Sequence, residues 1–237
     1  RLDVDPSLLV LPEEKVLDQV RLTPELCNQW LKFVAPLLAD ATQVDGKCSL
    51  DLAKGSLPLL SPTSGRLAGT LSVHQAAVRP GALAAEIVSA VEQVRSIIQR
   101  RSPRAGNSER VLLEMPAQAV PFQLAEGRVA HQGATFVVSD VVVRTSGSVG
   151  LDDSLNLIAE IPIKDEWLGN VKALGSLKGK SVQIPISGTL SKPRMDGQVL
   201  ANLARQMGRS AVENLLPDPT GGALQKGLDK LFAPKRK

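Results

Sequence analysis

The sequence predicts an α+β fold, a curved and mainly antiparallel β-sheet (meander) with flanking amphipathic helices. Apolar residues alternate with mostly polar ones over 154–163 and 181–190, the period of strands with one buried and one wetted face. Further short segments with strand patterns precede them, and strands so close in sequence pair as antiparallel neighbours. An apolar stripe at helical spacing over 82–100 indicates a helix that buries one side against the sheet.

The first third of the chain combines strands with one helix. Residues 1–21 hold a short apolar strand that leads into an amphipathic turn. We expect Thr23 to cap a helix whose first residue is Pro24. Pro36 must end or kink this helix, because proline lacks the amide proton that the helical hydrogen bond needs. The pattern then predicts a turn over 44–47 and strands near 48–53 and 65–73.

The middle of the chain supplies the main helix and most of the sheet. We interpret the apolar stripe of the helix as core packing. Its members are Leu83, Ile87, Val91, Val94 and Ile98. Turns are expected at Glu126-Gly127, at Gly133 and at Asp152-Asp153. The predicted strands are 109–115, 117–124, 127–131, 134–144, 146–151, 154–163 and 181–190.

We expect residues 1–196 to form a single α+β unit, with helices and strands in 1–105 and the β-meander in 106–196. Without the meander, the strands of the first part would have exposed edges. Residues 197–237 are predicted to form a basic helical tail, with a last amphipathic helix at 224–232. From Lys192 onward there are nine lysines and arginines against four acidic residues, a charge that suits an anionic membrane surface.

Composition excludes several classes of function. Aromatic residues make up 3% of the chain and tyrosine is absent, so the stacking platforms for single-stranded nucleic acid are scarce and we expect no nucleic-acid partner. No apolar run approaches the roughly 20 residues of a membrane-spanning helix. Because the chain opens at Arg1 on a polar, acidic segment, we expect no signal peptide in it and expect it to belong to a longer chain.

No local motif indicates catalysis, a cofactor or a metal. The glycine-rich segment 175–181 runs into a strand, whereas a phosphate loop requires a following helix, so we expect no nucleotide. Adjacent carboxylates at Asp152-Asp153 are typical of a solvated turn. His74 and His131 lack any metal-ligand spacing. The sequence therefore predicts a protein that is not an enzyme, unless groups distant in sequence converge.

Residues 147–163 and 184–196 carry an order of residues that resembles the pattern of a known family. The matching residues are Gly147, Val149, Leu151, Asp152, Ile161, Pro162, Ile163, Ile184, Pro185, Ile186, Gly188, Thr189, Leu190, Lys192, Pro193 and Asp196. This order resembles the C-terminal region of AsmA-like proteins, the AsmA/TamB-type proteins of the bacterial envelope, which are similar to bridge-like lipid-transfer proteins. The resemblance implies a periplasmic or cell-envelope location in a membrane-anchored chain. It also implies a role in lipid transport or outer-membrane biogenesis.

The apolar sheet face is the candidate site for that role. If part of it stays open, it forms a trough for acyl chains, in which each buried methylene contributes about 0.8 kcal/mol. The candidate lipid-contact residues are Phe122, Leu124, Phe136, Val138, Leu155, Leu157, Ile161, Ile163, Val182, Ile184 and Ile186. If helices fill the face, the chain is instead a structural or interaction domain for envelope assembly. The expected partners are accordingly a lipid or membrane surface, or other envelope proteins.

Cys27 and Cys48 are the only cysteines. In an oxidising envelope compartment a disulfide between them would close a loop of about 22 residues and contribute on the order of 3 kcal/mol. The alternative is a pair of buried thiols, one on a helix and one on the apolar face of a strand. The sequence leaves both possibilities open, since it does not give the Cα separation that a disulfide requires.

Overall fold

A computed structural model describes residues 2–4, 7–79, 81–99, 113–169, 175 and 177–215, of which 2–4 and 208–215 are described by their backbone alone. Within these ranges the chain forms thirteen strands in two antiparallel sheets. The strands are β1 (Leu2–Val4), β2 (Ser7–Leu11), β3 (Glu14–Arg21), β4 (Gln43–Leu52), β5 (Gly55–Pro58), β6 (Leu67–Arg79), β7 (Leu113–Met115), β8 (Gln118–Ala125), β9 (Arg128–Val138), β10 (Val141–Gly150), β11 (Leu155–Pro162), β12 (Ser181–Thr189) and β13 (Lys192–Met195).

The large sheet has ten strands in the order β13-β12-β11-β10-β9-β7-β6-β4-β3. Strand β8 continues the line of β7 and also lies between β6 and β9. Consecutive strands from β8 to β13 are antiparallel neighbours, which is the predicted meander. The sheet is curved, and the predicted α+β class is confirmed. A small sheet, β1-β2-β5, continues the β3-β4 pair beyond the end at which Glu14 pairs with Leu52.

Helices cover one face of the large sheet. They are α1 (Pro24–Leu26), a π-helical turn (Cys27–Leu31), α2 (Lys32–Val34), α3 (Ala82–Gln99), α4 (Asp165–Leu168) and α5 (Gly197–Leu215). Helix α3 packs against α4, α5 and β13, while α2 packs against β9 and β10. The predicted stripe of α3 is confirmed as core, because all five of its residues are buried. No helix in the described ranges is long and apolar enough to cross a membrane.

Local signals correctly predict the ends of the first helix. The hydroxyl of Thr23 accepts a hydrogen bond from the amide of Leu26 at 3.2 Å, and Pro24 is the first helical residue. Pro36 separates α2 from a short 3-10 turn, Pro36–Leu38. The π-helical turn between α1 and α2 was not predicted. It begins at Cys27 and ends at Leu31, and both residues are fully packed against the core.

Several predicted boundaries are wrong, among them the strand expected over 134–144, which a reversal of the chain divides between β9 and β10. The turn expected over 44–47 lies inside β4, and the amphipathic turn expected before residue 21 is the edge strand β3. Strand β9 runs straight through Gly133, whose φ of +73° makes an irregularity in the strand and not a turn. The chain reverses later, at Ser139-Asp140, where Ser139 has a φ of +57°. The start of the strand expected at 109 and the helix expected at 224–232 lie outside the described residues.

Candidate functional site

The eleven candidate lipid-contact residues all lie on the helix-covered face of the sheet. Each is buried, from Phe122 at 8% exposed to Ile161 and Ile184 at 0%. They belong to one continuous core with the buried residues of the helices. The described helices thus fill this face over the eleven residues, and their contact with lipid stays a prediction.

The two segments of the family-like motif lie side by side. The amide of Leu190 donates to the carbonyl of Asp153 at 3.1 Å, and Ser154 pairs with Thr189 as an isolated bridge. Gly147 has a φ of +127°, and a Cβ atom there would collide with the carbonyl oxygen of Asn156. The motif residues near these contacts therefore shape the backbone.

The β10–β11 turn is further fixed by charged side chains. The guanidinium of Arg128 donates to the hydroxyls of Ser148 and Ser154, at 2.9 and 2.7 Å, and to both of their carbonyls. Hydrogen bonding with Ser154, from its side chain and then its backbone, lowers the pKa of Asp152. The ammonium of Lys32 lies 2.7 Å from Oδ1 of Asp153 and joins α2 to the turn. These groups bind one another, so we interpret the turn as a structural element and not as a ligand site.

One polar cluster, which the sequence analysis missed, joins residues distant in sequence. The Oγ atom of Ser49 lies 2.8 Å from Nε2 of His74 and 3.4 Å from Oδ1 of Asp18. The same Oγ accepts the amide of Gln19 at 2.9 Å, in a bulge where Gln19 has a φ of +47°. The carboxylate meets the serine and not the imidazole, so the order of a Ser-His-Asp triad is absent. The cluster stabilises the bulge in edge strand β3.

The uncovered face of the sheet contains a hollow of about 510 Å³. We call it the outer-face hollow. Two neighbouring rows of residues, each crossing β4 or its end and then β6, β8 and β9, form most of its surface. The first row is Asp51, Thr70, Pro121 and Gln132, and the second is Ala53, Ala68, Gln123 and Ala130. Glu13, between β2 and β3, closes the end next to Asp51.

The hollow exists because small residues form its floor. Ala53, Ala68 and Ala130 offer only methyl groups, and Gly69 lies between the two rows. A Cβ atom at Gly69 would lie 2.6 Å from the carbonyl oxygen of Asp51 and 2.8 Å from the ring of Phe122 on the covered side. Because Gly69 has no side chain, the ring of Phe122 can pack closely against the covered face of the sheet.

Five polar side chains of the hollow have no partner among the described residues. Glu13, Asp51, Thr70, Gln123 and Gln132 make no side-chain hydrogen bond or ion pair with another described residue. The carboxylates lie at one end of the hollow, and the carboxamides at the other. Sequence analysis gave no sign of this arrangement, because the residues come from five separate segments.

Cys27 and Cys48 are free thiols in the structure, and both are completely buried. Burial raises the pKa of Cys27 to about 12, with smaller contributions from Cys48 and Glu25. Burial also raises the pKa of Cys48. Thiols of this kind are poor nucleophiles. Among the residues that the structure describes, no group of three or more His, Cys, Asp or Glu side chains is placed to hold a metal ion.

Comparison with known proteins adds no relative: no protein-family model, curated protein or solved structure matches the chain.

Proposed function

We propose that this chain is a non-catalytic interaction domain that binds a protein partner on the uncovered face of its sheet. The observation that carries the proposal is the contrast between the two faces. The helix-covered face is filled by apolar side chains. On the uncovered face, the outer-face hollow presents five polar side chains without partners among the described residues.

The resemblance to AsmA-like proteins gives this proposal its setting. We place the domain in the periplasm or cell envelope, as part of a membrane-anchored chain, and its partner among envelope proteins. In the structure, Gly147, Leu190 and Asp196 of the motif serve the fold. Asp196, the last of them, accepts the amide of Gln198 at 2.9 Å and so caps the start of α5.

A pair of substitutions in β11 tests whether the covered face is core. Leu157 is 1% exposed on the covered face, and its neighbour Ile158 is 41% exposed on the other. A buried, unpaired carboxylate is strongly disfavoured, so Leu157→Asp should abolish cooperative folding while Ile158→Asp folds normally. Urea denaturation followed by circular dichroism measures both. If Leu157→Asp folds as well as Ile158→Asp, the covered face is open and the proposal fails.

Lipid analysis tests the same point in a second way. The protein would be purified gently from a bacterial host, weighed by native mass spectrometry and extracted with solvent. We expect the mass of the chain alone and no stoichiometric lipid. Stoichiometric phospholipid would overturn the proposal.

Sheltering of acyl chains is a second proposal, and one observation favours it. Strand β12 is covered by α5, whose buried side chains in the described part are Leu200, Leu203 and Met207. Displacement of α5 would uncover part of the buried side of β12. Leu203→Glu, which loosens α5, should then increase extraction of a fluorescent phospholipid from vesicles, relative to the exposed control Ala204→Glu. Equal extraction by both variants would count against lipid sheltering.

A further inference from the structure

The chain contains two Asp-Gly dipeptides, Asp45-Gly46 and Asp196-Gly197, and no Asn-Gly. An aspartate before a glycine can react with its own backbone, because glycine has no Cβ atom to hinder the approach of its amide nitrogen to the carboxyl group. The reaction also requires that the peptide between the two residues can rotate. The two dipeptides differ in this respect.

The Asp45-Gly46 dipeptide is held inside strand β4. Gly46 pairs with Ala76 of β6, and its carbonyl accepts the amide of Leu22 at 2.9 Å. The backbone of β6 is so close that a Cβ atom at Gly46 would collide with the carbonyl oxygen of Gln75. Rotation of this peptide therefore requires that the pairing between β4 and β6 opens first.

The Asp196-Gly197 dipeptide lies at the surface, between β13 and α5. Both residues are exposed, and a Cβ atom added to Gly197 would meet no atom within 4 Å. Oδ1 of Asp196 accepts the amide of Gln198 at 2.9 Å, so the carboxyl group is folded back along the peptide of Gly197. As the first residue of α5, Gly197 has an amide nitrogen without a partner inside the helix.

We infer that Asp196-Gly197 is a site of spontaneous isomerisation to isoaspartate, and that this modification removes the cap of α5. In the first step the nitrogen of Gly197 bonds to Cγ of Asp196 in its acid form. The hydroxyl of the carboxyl group and the proton of the amide leave as water, and a succinimide ring remains. Water then attacks the main-chain carbonyl carbon of Asp196, and the bond from that carbon to the nitrogen of Gly197 breaks. No atom changes its oxidation state in either step.

The modification alters the start of α5. In isoaspartate the main chain runs through Cβ and Cγ, and the carboxylate is attached directly to Cα, so the side chain that now accepts the amide of Gln198 is lost. Loss of an N-cap destabilises the first turn of a helix. Because α5 packs against α3 and β12, its first turn should then loosen from them. This inference goes beyond the proposed function and does not depend on it.

The first test uses the unmodified full chain, incubated at 37 °C and pH 6 for about four weeks, with a fresh sample as background. Trypsin cleaves after lysine and arginine, so it releases the two dipeptides in separate peptides, 33–47 and 195–205. Electron-transfer fragmentation in a mass spectrometer distinguishes isoaspartate from aspartate in each. We expect at least about tenfold more isoaspartate at position 196 than at position 45, where local opening must come first. Equal amounts at the two positions, or none at 196, would overturn the inference.

A substitution tests whether the amide of Gly197 is the attacking group. Gly197→Ala adds a Cβ atom that hinders the attack and has room in the folded protein. It should lower the yield of isoaspartate at position 196 at least about fivefold. An undiminished yield in this variant would refute the proposed reaction.

Hydrogen exchange tests the effect on α5. The isoaspartate form is separated from the incubated protein by ion-exchange chromatography, and we expect the amides of Leu200 and Leu203 to exchange about fivefold faster in it. Asp196→Ser keeps a capping oxygen and has no carboxyl group to react, so incubation should leave the exchange rates of this variant unchanged. Equal rates in the isoaspartate form and the fresh protein would show that the modification does not loosen α5, contrary to the inference.

Discussion

The carboxamide of Gln118 occupies the place of a peptide group opposite Thr135. Its oxygen accepts the amide of Thr135 at 2.8 Å, and its nitrogen donates to the carbonyl of the same residue at 2.7 Å. Strand β9 pairs with β7 at Val137 and Val138 and with β8 up to His131, so Thr135 faces the gap between these two strands. The side chain thus closes the ladder where the backbone leaves it open.

Gln118→Ala should destabilise the fold by about 1–3 kcal/mol, because it leaves both peptide groups of Thr135 without their partner. Urea denaturation measures the change. Gln123→Ala, in the same strand but without a side-chain bond to a described residue, should change the free energy of unfolding by less than about 0.5 kcal/mol. Equal losses in the two variants would show that the carboxamide of Gln118 does not act as a ladder group.

Acid should weaken the fold through His131. This side chain is 1% exposed, its Nδ1 atom has no hydrogen-bond partner in the described structure, and burial lowers its pKa from 6.5 to about 4. The unfolded chain binds a proton below about pH 6.5, while the native state binds it only near pH 4. Stability is therefore complete above pH 6.5 and falls as the pH drops toward 4, by about 3 kcal/mol over the whole window.

Urea denaturation between pH 4 and 7.5 measures this slope. His131→Leu should flatten it. The pKa of Asp140 is lowered from 3.8 by its hydrogen bond with Lys164, so that carboxylate titrates below the window. A proton NMR titration of His131 in the unmodified protein provides an independent check. An imidazole that titrates near pH 6.5 would contradict the prediction.

Two glycines with positive φ should respond differently to alanine. Gly147→Ala forces a Cβ atom against the backbone of Asn156 and Leu157, at a φ of +127°, and should cost about 2–4 kcal/mol. Gly133 has a φ of +73°, and a Cβ atom added there would meet no atom within 4 Å, so Gly133→Ala should cost only the backbone term of about 1 kcal/mol. Thermal unfolding of both variants measures the difference, and similar losses would disprove the role of the close approach at Gly147.

The two cysteines should be unreactive in the native protein. Both side chains are fully buried and both thiol pKa values are raised by burial. At pH 8, the thiol reagent DTNB releases one coloured thiolate for each thiol that it reaches. We expect the native protein to release less than about one-tenth of the two equivalents within minutes, and the protein unfolded in guanidinium to release both. No release after unfolding would indicate a disulfide between Cys27 and Cys48. Rapid release from the native protein would show that the helix around Cys27 opens readily.

Local patterns in the sequence predicted the parts of the fold that local physics determines. The helical segment from α1 to α2 begins after the cap Thr23, with Pro24 in its first turn. It ends before Pro36, which lacks the amide proton that the helix would need. The turn predicted at Gly133 was wrong, because a glycine with a positive φ occurs in a β-bulge as readily as in a turn. Only the partners of a strand distinguish the two cases, and they are not visible in a single segment.

The outer-face hollow could not be predicted for a similar reason. In the sequence, Asp51 and Gln123 each occupy a solvent-facing position of a strand in which polar and apolar residues alternate. They lie near each other only because β6 pairs with β4 on one side and β8 on the other, in a definite register. The eleven apolar residues named from the sequence all lie on the covered face. Alternation alone does not tell whether helices fill that face.

The long-range pairing of strand β6 should determine how fast this chain folds. Its pairing with β8, for example Leu71 with Val120, joins residues about fifty positions apart, whereas the hairpins from β8 to β11 close over short loops. The hairpins should form first, and the long closure between β6 and β8 should limit the folding rate. Until it occurs, each half presents an unpaired apolar edge to other molecules. Refolding yield should therefore fall as protein concentration rises, even though the finished sheet has no such edge at this place.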